Sequence, residues 1–223
     1  TIFPPYTVRV YQGVKVAFIG MTLEGTPSIV TPSGVEGLTF LDEAETVNAL
    51  VPQLQQNNIE AIVVLLHEGG QSNGGQNDCG TELTGPIAEI VPQLDDAVDL
   101  VIAGHTNDEF ICEIDGKWVT MADTRGRLFT DIDAKLNRVT KDMEIVAINN
   151  VPNLQAGVTP DPLLTALIDK YAALAAPLAN TVIGTITSDI LRANNAAGES
   201  TLGDFTADTG IDVAMDLFAD NDE

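Results

Sequence analysis

The chain contains two histidines, and each follows a hydrophobic segment that ends in a loop. His67 comes directly after residues 61–66, and His105 follows residues 98–103 and one glycine. Ligands of open α/β sheets bind outside the carboxyl ends of the strands, so this placement puts both imidazoles at the functional edge of a predicted sheet. Imidazole is a common protein ligand of zinc, manganese and iron. The two histidines therefore predict half of a metal site.

Neighbouring residues suit the same role. Asn107 lies two residues after His105, and its side-chain carbonyl could serve as a neutral oxygen ligand. Glycines at positions 69, 70 and 104 permit close approach and unusual backbone angles. For either histidine alone, a hydrogen bond within a loop is the commoner role. The context that the two histidines share favours metal binding.

Hydrophobic periodicity predicts the elements that position these residues. Strands are predicted at 14–21, 61–66 and 98–103, and helices at 41–56 and 83–94. This alternation predicts a parallel sheet with helices on its faces.

The pattern changes after His105. Short apolar runs separated by turn sequences, of which Asp115-Gly116 is typical of a hairpin, predict an antiparallel meander. These runs are residues 109–114, 117–122, 128–132 and 143–148. The predicted fold class is therefore α/β, with two packed mixed β-sheets flanked by helices.

The predicted organisation is a first domain over residues 1–150, a linker with a connecting helix over 151–180, and part of a second α+β domain over 181–223. Strands are expected at 182–186 and 211–215. About 40 residues are too few for an independent core, so the second domain is expected to be incomplete. The chain has no run of about 18 apolar residues, and no membrane span is predicted. The sequence predicts no oligomeric state.

The charge is strongly acidic, with 33 Asp and Glu against 10 Lys and Arg and a net charge of -23. Polynucleotide binding is not expected, because it depends on basic side chains. A small anionic substrate would need bound metal cations to reverse the local field. Most carboxylates fit a solvated surface, and the acidic run at 220–223 lacks the oxygen spacing and glycine of a calcium loop.

The chain has two cysteines, Cys79 and Cys112. They could be two buried thiols or a disulfide, because sequence alone does not show their separation. Cys79 lies in a polar loop, where a free thiol would be exposed and reactive. A disulfide is therefore favoured, and it indicates an oxidising, extracytoplasmic compartment.

Several segments resemble motifs of the calcineurin-like metallophosphoesterases, and specifically of the secreted 5'-nucleotidase family. Residues 65–69 (LLHEG) and 103–107 (AGHTN) are similar to the third and fourth metal-binding motifs of the family. Residues 13–22 look like the strand that follows the catalytic histidine motif of the family. Residues 34–42 look like the loop that leads into the family's next helix. Residues 199–208 are similar to its Glu-Ser-x-Leu-Gly-Asn motif. The matches cover most of the chain, in the family's order.

The resemblance implies an αββα metallophosphoesterase-like sandwich with two divalent metal ions, zinc, manganese or similar. The ions would activate a water molecule that hydrolyses a nucleotide phosphate ester. By this analogy, His67 and His105 bind one ion, and Asn107 binds the other or lies beside it. Many relatives have His or Gln at the position of Asn107, and some have Asn. No substrate-binding residue is assigned.

The family's earlier motifs, Asp-x-His, Asp and Gly-Asn-His-Glu, would precede Thr1. The catalytic residues are therefore expected outside the chain, which alone is expected to be inactive. Two explanations stay open, a piece of a larger enzyme or a scaffold that has lost catalysis, and we favour the first. A Gly-Gly-x-Arg segment expected after residue 215 is replaced by Asp216 and its neighbours, as though a loop were missing there.

Three other functions remain open. Two belong to the same family, a 2',3'-cyclic nucleotide phosphodiesterase and a nucleotide-sugar hydrolase. The third is a noncatalytic metal-binding or surface module.

Overall fold

The computed structural model describes residues 3–219, and the side chains of all these except 212 and 216–219. The chain divides into two compact units, Thr1–Ala156 and Gly157–Glu223, which are described separately. The domain boundaries at 150 and 180 stay a prediction. The acidic run at 220–223 lies outside the described residues.

The described residues form ten strands and four α-helices. The strands are β1 (Tyr6–Tyr11), β2 (Val14–Met21), β3 (Ala61–Leu66), β4 (Gln71–Ser72), β5 (Leu83–Thr84), β6 (Leu100–Ile102), β7 (Glu109–Ile114), β8 (Lys117–Ala122), β9 (Leu128–Leu136) and β10 (Met143–Pro152). The helices are α1 (Glu43–Gln56), α2 (Pro86–Ile90), α3 (Pro162–Ala179) and α4 (Thr201–Ala219).

The first unit is built on a six-stranded mixed sheet in the order β1-β2-β3-β6-β8-β7. Strands β2, β3, β6 and β8 run parallel, whereas β1 and β7 lie antiparallel at the edges. The predicted parallel core is confirmed. The four parallel strands all direct their carboxyl ends to one edge of the sheet.

The prediction of a single meander after His105 is wrong in one respect. The hairpin of β7 and β8 extends the first sheet, because β8 pairs in parallel with β6. Strand β8 is buried on both faces, as an internal strand of a covered sheet must be. Of the strands after His105, β9 and β10 form a separate antiparallel sheet; β4 and β5, which precede His105, form another small one.

The core lies on both faces of the large sheet. On one face, α1 contributes Val47, Val51 and Leu54 to a cluster that includes Ile62 and Val101. On the other, side chains of β9 and β10 pack over a smaller cluster of Val16, Ala61, Val63 and Leu100. Helices and a second sheet thus cover opposite faces, as the two-sheet fold class predicts.

The two helices of this unit begin and end for local reasons. Asp42 caps α1 by accepting a hydrogen bond from the Glu45 N–H at 2.7 Å, which confirms the predicted helix. The helix predicted at 83–94 is shorter. It is α2 followed by a single 3-10 turn, Val91–Gln93, because Pro92 cannot donate a backbone hydrogen bond and disfavours α-helix before it.

The second unit contains α3 and α4. Asp161 caps α3 by accepting hydrogen bonds from the N–H groups of Leu163 and Leu164. The strands predicted at 182–186 and 211–215 are wrong. The former segment is irregular, and the latter lies inside α4, whose backbone continues through residues 215 and 216.

One described helix meets the length and apolar composition of a membrane span, against the expectation that none would. It is α3, whose apolar side chains are exposed. Two charged residues, Asp169 and Lys170, lie in the middle of the helix, where charges are costly in a bilayer.

Asp99 predicts a pH dependence of stability. Burial raises the pKa of Asp99 from 3.8 to about 7; the Ile62 N–H lowers it, while the charge of Asp142 and a hydrogen bond with Asp142 add to the rise. The folded protein binds this proton more tightly than the unfolded chain does. The stabilisation is therefore complete below about pH 3.8 and is lost as the pH rises through about 7.

Asp99→Asn should remove this loss of stability at high pH, because asparagine stays neutral. Its side-chain oxygen can still accept a hydrogen bond from the Ile62 N–H, as the Asp99 carboxylate does at 2.8 Å in the wild type. We expect the variant to melt at a higher temperature than wild type at pH 8, with a smaller advantage at pH 5. Thermal unfolding at both pH values checks this. An advantage that does not change with pH would contradict the assignment.

Candidate metal centre

The two histidines lie at the shared carboxyl edge of the parallel strands. His67 follows β3, and its N–H donates to the Met21 carbonyl at 3.0 Å, which continues the pairing of β3 with β2. His105 follows β6 after Ala103 and Gly104. The Ala103 N–H donates to Thr120 on β8 at 2.8 Å. Ordinary sheet pairing therefore carries both histidines to the same edge.

The imidazoles face each other directly. Nε2 of His67 lies 3.3 Å from Nδ1 of His105, and the ring centroids are 5.1 Å apart with an interplanar angle of 72°. Both side chains are exposed. The structure thus brings together two residues that are 38 positions apart in the sequence.

The loop after β6 has an unusual backbone. His105 and Asn107 adopt left-handed conformations, with φ of 73° and 58°. Such angles are uncommon for residues other than glycine and concentrate at functional sites, where surrounding contacts maintain them. Asn107 lies in the same loop as His105 and is exposed. Its role as a metal ligand stays a prediction.

The two histidine loops are in direct contact. The Gly104 N–H donates to the Glu68 carbonyl at 3.1 Å, and the Thr106 hydroxyl donates to the Gly70 carbonyl at 2.7 Å. A Cβ atom at Gly69 would collide with the Gly104 carbonyl oxygen and with the Thr106 hydroxyl. Glycine is required at position 69 because the other loop occupies the space of a side chain.

Glu68 is a buried polar residue that the sequence analysis did not single out. Its side chain is 4% exposed, and its carboxylate accepts a hydrogen bond from the Gly69 N–H at 2.8 Å. The sequence signal that could have drawn attention to Glu68 is its position directly after His67. The contacts give it a structural role in the turn that follows β3.

A cluster of carboxylates was also missed. Ligand atoms of Glu24, Asp42 and Glu43 lie within 4.8 Å of one another, where the segment after β2 meets the first residue of α1. Glu43 is buried and accepts from the Glu24 N–H at 2.6 Å, while Asp42 caps α1. Carboxylates are favoured at a helix N-terminus, and these roles account for the cluster without a metal ion.

The two cysteines form a disulfide, Cys79 with Cys112, across a sequence separation of 33. The bond joins the polar loop between β4 and β5 to β7, an edge strand of the large sheet. The favoured alternative of the sequence analysis is therefore confirmed.

Removing this disulfide should destabilise the first unit. Closing a loop of this length restricts the unfolded chain and is worth about 2–4 kcal/mol. We expect the Cys79→Ala, Cys112→Ala double variant to unfold at a lower urea concentration than the oxidised wild type. Reduced wild type is the matched control and should resemble the variant. An unchanged urea midpoint in both would contradict the prediction.

Curated relatives match between half and nearly all of the chain. Endonuclease YhcR of Bacillus subtilis is 29% identical over 212 residues, which is 95% of this chain and 17% of that protein. Cell wall protein Lmo0130 of Listeria monocytogenes is 28% identical over 216 residues, covering 93% of this chain and 27% of that protein. A 5'-nucleotidase of Vibrio cholerae is 27% identical over 112 residues, or 50% of this chain and 20% of the relative. The chain thus spans only a minor part of these relatives.

Solved structures share the fold. The 5'-nucleotidase precursor of Thermus thermophilus superposes with a TM-score of 0.60 at 20% identity, over 85% of this chain and 38% of that one. The calcineurin-like phosphoesterase YfkN of Bacillus subtilis gives a TM-score of 0.60 at 16% identity, over 81% of this chain and 60% of that one. No family model matches the chain.

Relatives named 5'-nucleotidase and solved neighbours with the phosphoesterase fold agree with the resemblance that the sequence motifs indicate. The chain is thus similar in sequence to 5'-nucleotidases, shares the fold of calcineurin-like phosphoesterases, and represents part of the length of these relatives.

Proposed function

We propose that the protein containing this chain is a metal-dependent phosphoesterase that hydrolyses nucleotide phosphate esters, with 5'-nucleotidase activity as the leading assignment. The observation that carries this proposal is the convergence of His67 Nε2 and His105 Nδ1 to 3.3 Å at the carboxyl edge of the sheet. In open α/β sheets this edge is where ligands bind.

The spacing of the two nitrogens suits a shared metal ion. Two imidazole nitrogens that each lie about 2.0–2.1 Å from a tetrahedral zinc ion are separated by about 3.3–3.4 Å. His67 and His105 have this separation without any rearrangement. Both rings are exposed, so an ion can reach them. The alternative for this pair is a single N–H···N hydrogen bond, which metal titration distinguishes.

The chain's residues would hold one side of the centre. His67 and His105 would bind one of two divalent ions, zinc, manganese or similar, and Asn107 would bind or border the second. Ions bound there would polarise the phosphoryl oxygens and lower the pKa of the attacking water. They would also reverse the local field at the site, because the chain's net charge of -23 otherwise repels an anionic nucleotide.

The remaining ligands and the catalytic acid belong, in this proposal, to sequence before Thr1. The chain alone would then bind metal without turnover. The disulfide supports an extracytoplasmic location, because such bonds persist in oxidising compartments. A cell wall protein among the relatives agrees with that location.

Hydrolysis by the full-length protein, with the products identified by chromatography, tests the proposal. The substrates would be AMP, 2',3'-cyclic AMP, a UDP-sugar and single-stranded DNA, each with manganese or zinc. Of these substrates, only AMP would release inorganic phosphate directly. We expect turnover of AMP that a chelator abolishes and excess metal restores. Faster turnover of the cyclic nucleotide or the UDP-sugar would assign one of the alternative activities. No turnover of any substrate by a protein that binds metal would favour a noncatalytic module.

A further inference from the structure

The strained loop after β6 requires contacts that maintain it. His105 and Asn107 both have positive φ, and Thr106 lies between them. Left-handed conformations in residues other than glycine persist only where neighbouring structure compensates for their cost. The orientation of the His105 ring therefore depends on whatever fixes this loop.

Two hydrogen bonds to the other histidine loop bracket His105. Before it, the Gly104 N–H donates to the Glu68 carbonyl at 3.1 Å. After it, the Thr106 hydroxyl donates to the Gly70 carbonyl at 2.7 Å. The first bond is between backbone groups, and the second depends on a side chain. Of these two links between the loops, the one made by Thr106 is therefore the one that a substitution can remove.

The Thr106 hydroxyl donates its proton to the Gly70 carbonyl in preference to its other neighbour. A hydroxyl has one proton, and the sulfur of Met121 lies farther away, at 3.5 Å. The carbonyl oxygen at 2.7 Å is the stronger and nearer acceptor. Gly70 is buried, so its carbonyl would not readily find water in place of the hydroxyl.

We propose that Thr106 is a positioning residue, whose hydroxyl holds His67 and His105 at the separation needed to share a metal ion. This proposal rests on the proposed function only in assuming that the two histidines bind a metal ion. The spacing of the two rings is a property of the chain alone. Without the hydroxyl, the loop would relax towards less strained angles, and Nδ1 of His105 would leave its position opposite His67.

Histidine-ring NMR of the 223-residue chain tests the spacing without any metal. Because the chain has two histidines, the imidazole signals in the spectrum come from His67 and His105 alone. The centroids are 5.1 Å apart, and a nuclear Overhauser effect between the two imidazoles is expected in the wild-type chain. Thr106→Val should lose this effect, and Thr106→Ser, which keeps the hydroxyl, should retain it.

Zinc titration of the same variants provides the second measurement. Changes in groups that orient metal ligands lower metal affinity about 10–100-fold, and we expect Thr106→Val to fall in this range. Thr106→Ser should bind zinc much as wild type does. Thr84→Val is the matched control, because it removes an exposed hydroxyl that lies 3.4 Å from the Gln71 carbonyl. It should change neither measurement.

The outcomes separate the two proposals. Wild type that shows the ring contact but binds no zinc would overturn the metal centre, while the ring contacts of the variants would still decide the role of Thr106. Thr106→Val with an undiminished ring contact and wild-type zinc affinity would overturn that role, as would loss of the contact in Thr106→Ser. If Thr106→Val does not fold, Thr106→Ala removes the hydroxyl without adding a methyl group against the Gly70 carbonyl.

Discussion

Replacing both histidines, His67→Asn with His105→Asn, should abolish zinc and manganese binding by the chain. Changes that merely disturb the orientation of a ligand already cost about 10–100-fold in affinity, so loss of the ligands themselves should cost more than about 100-fold. Each single variant should lose most of the binding, because one imidazole cannot replace the pair. Isothermal titration with zinc and with manganese measures the effect, and circular dichroism checks that the fold is retained.

The carboxylate cluster supplies the control for this experiment. Glu24→Gln removes one of the three clustered carboxylates and should leave zinc binding unchanged. If the cluster were the metal site, the pattern would be reversed, with binding lost in Glu24→Gln and kept in the histidine variants. In the full-length protein, we expect the histidine variants to lose metal-dependent phosphate release together with metal binding.

Asn150→Ala should cause the largest loss of stability among the changes considered. Asn150 is 1% exposed and lies on β10. Its amide nitrogen donates to the carbonyls of Gln76 and Met121 at 2.7 and 2.8 Å, and its amide oxygen accepts from the Thr130 hydroxyl at 2.7 Å. One side chain thus links β8, β9, β10 and the disulfide-bonded loop.

The alanine variant would leave buried carbonyl groups without donors. Each buried polar group left unpaired costs about 1–3 kcal/mol, and we expect a total of about 2–4 kcal/mol after relaxation. Urea denaturation measures the change in the free energy of unfolding. Asn149→Ala is the matched control, since Asn149 is the exposed neighbour on the same strand. Equal effects of the two substitutions would contradict the network's role.

Local sequence patterns predicted many of the elements. The runs at 14–21, 61–66, 109–114 and 117–122 form strands with the predicted bounds. Alternation of apolar strands with helices was enough to predict the parallel core. It also placed both histidines at strand ends, because His67 directly follows one apolar run and His105 follows another after a single glycine. The wrong predictions fall mainly in the second unit, where 211–215 is as apolar as a strand but lies within α4.

Burial of Asn150 could not have been predicted from alternation. Strand β10 has a bulge between Ile145 and Ala147, and beyond it the residues that face inward shift by one position. Ile145 and Ile148 both pack towards the large sheet, and the buried asparagine is Asn150 rather than Asn149. A regular strand would have placed Asn149 inside.

The sequence by itself determined the kinds of residue at the site and the strand ends that carry them, because these depend on short-range hydrophobic patterns. Only the tertiary structure decided that β8 pairs with β6, that His67 and His105 face each other at 3.3 Å, and that Thr106 joins their loops. Each of these depends on register or on contact between segments far apart in the chain. Such contacts arise from packing and hydrogen bonding across the sheet, and no local pattern encodes them.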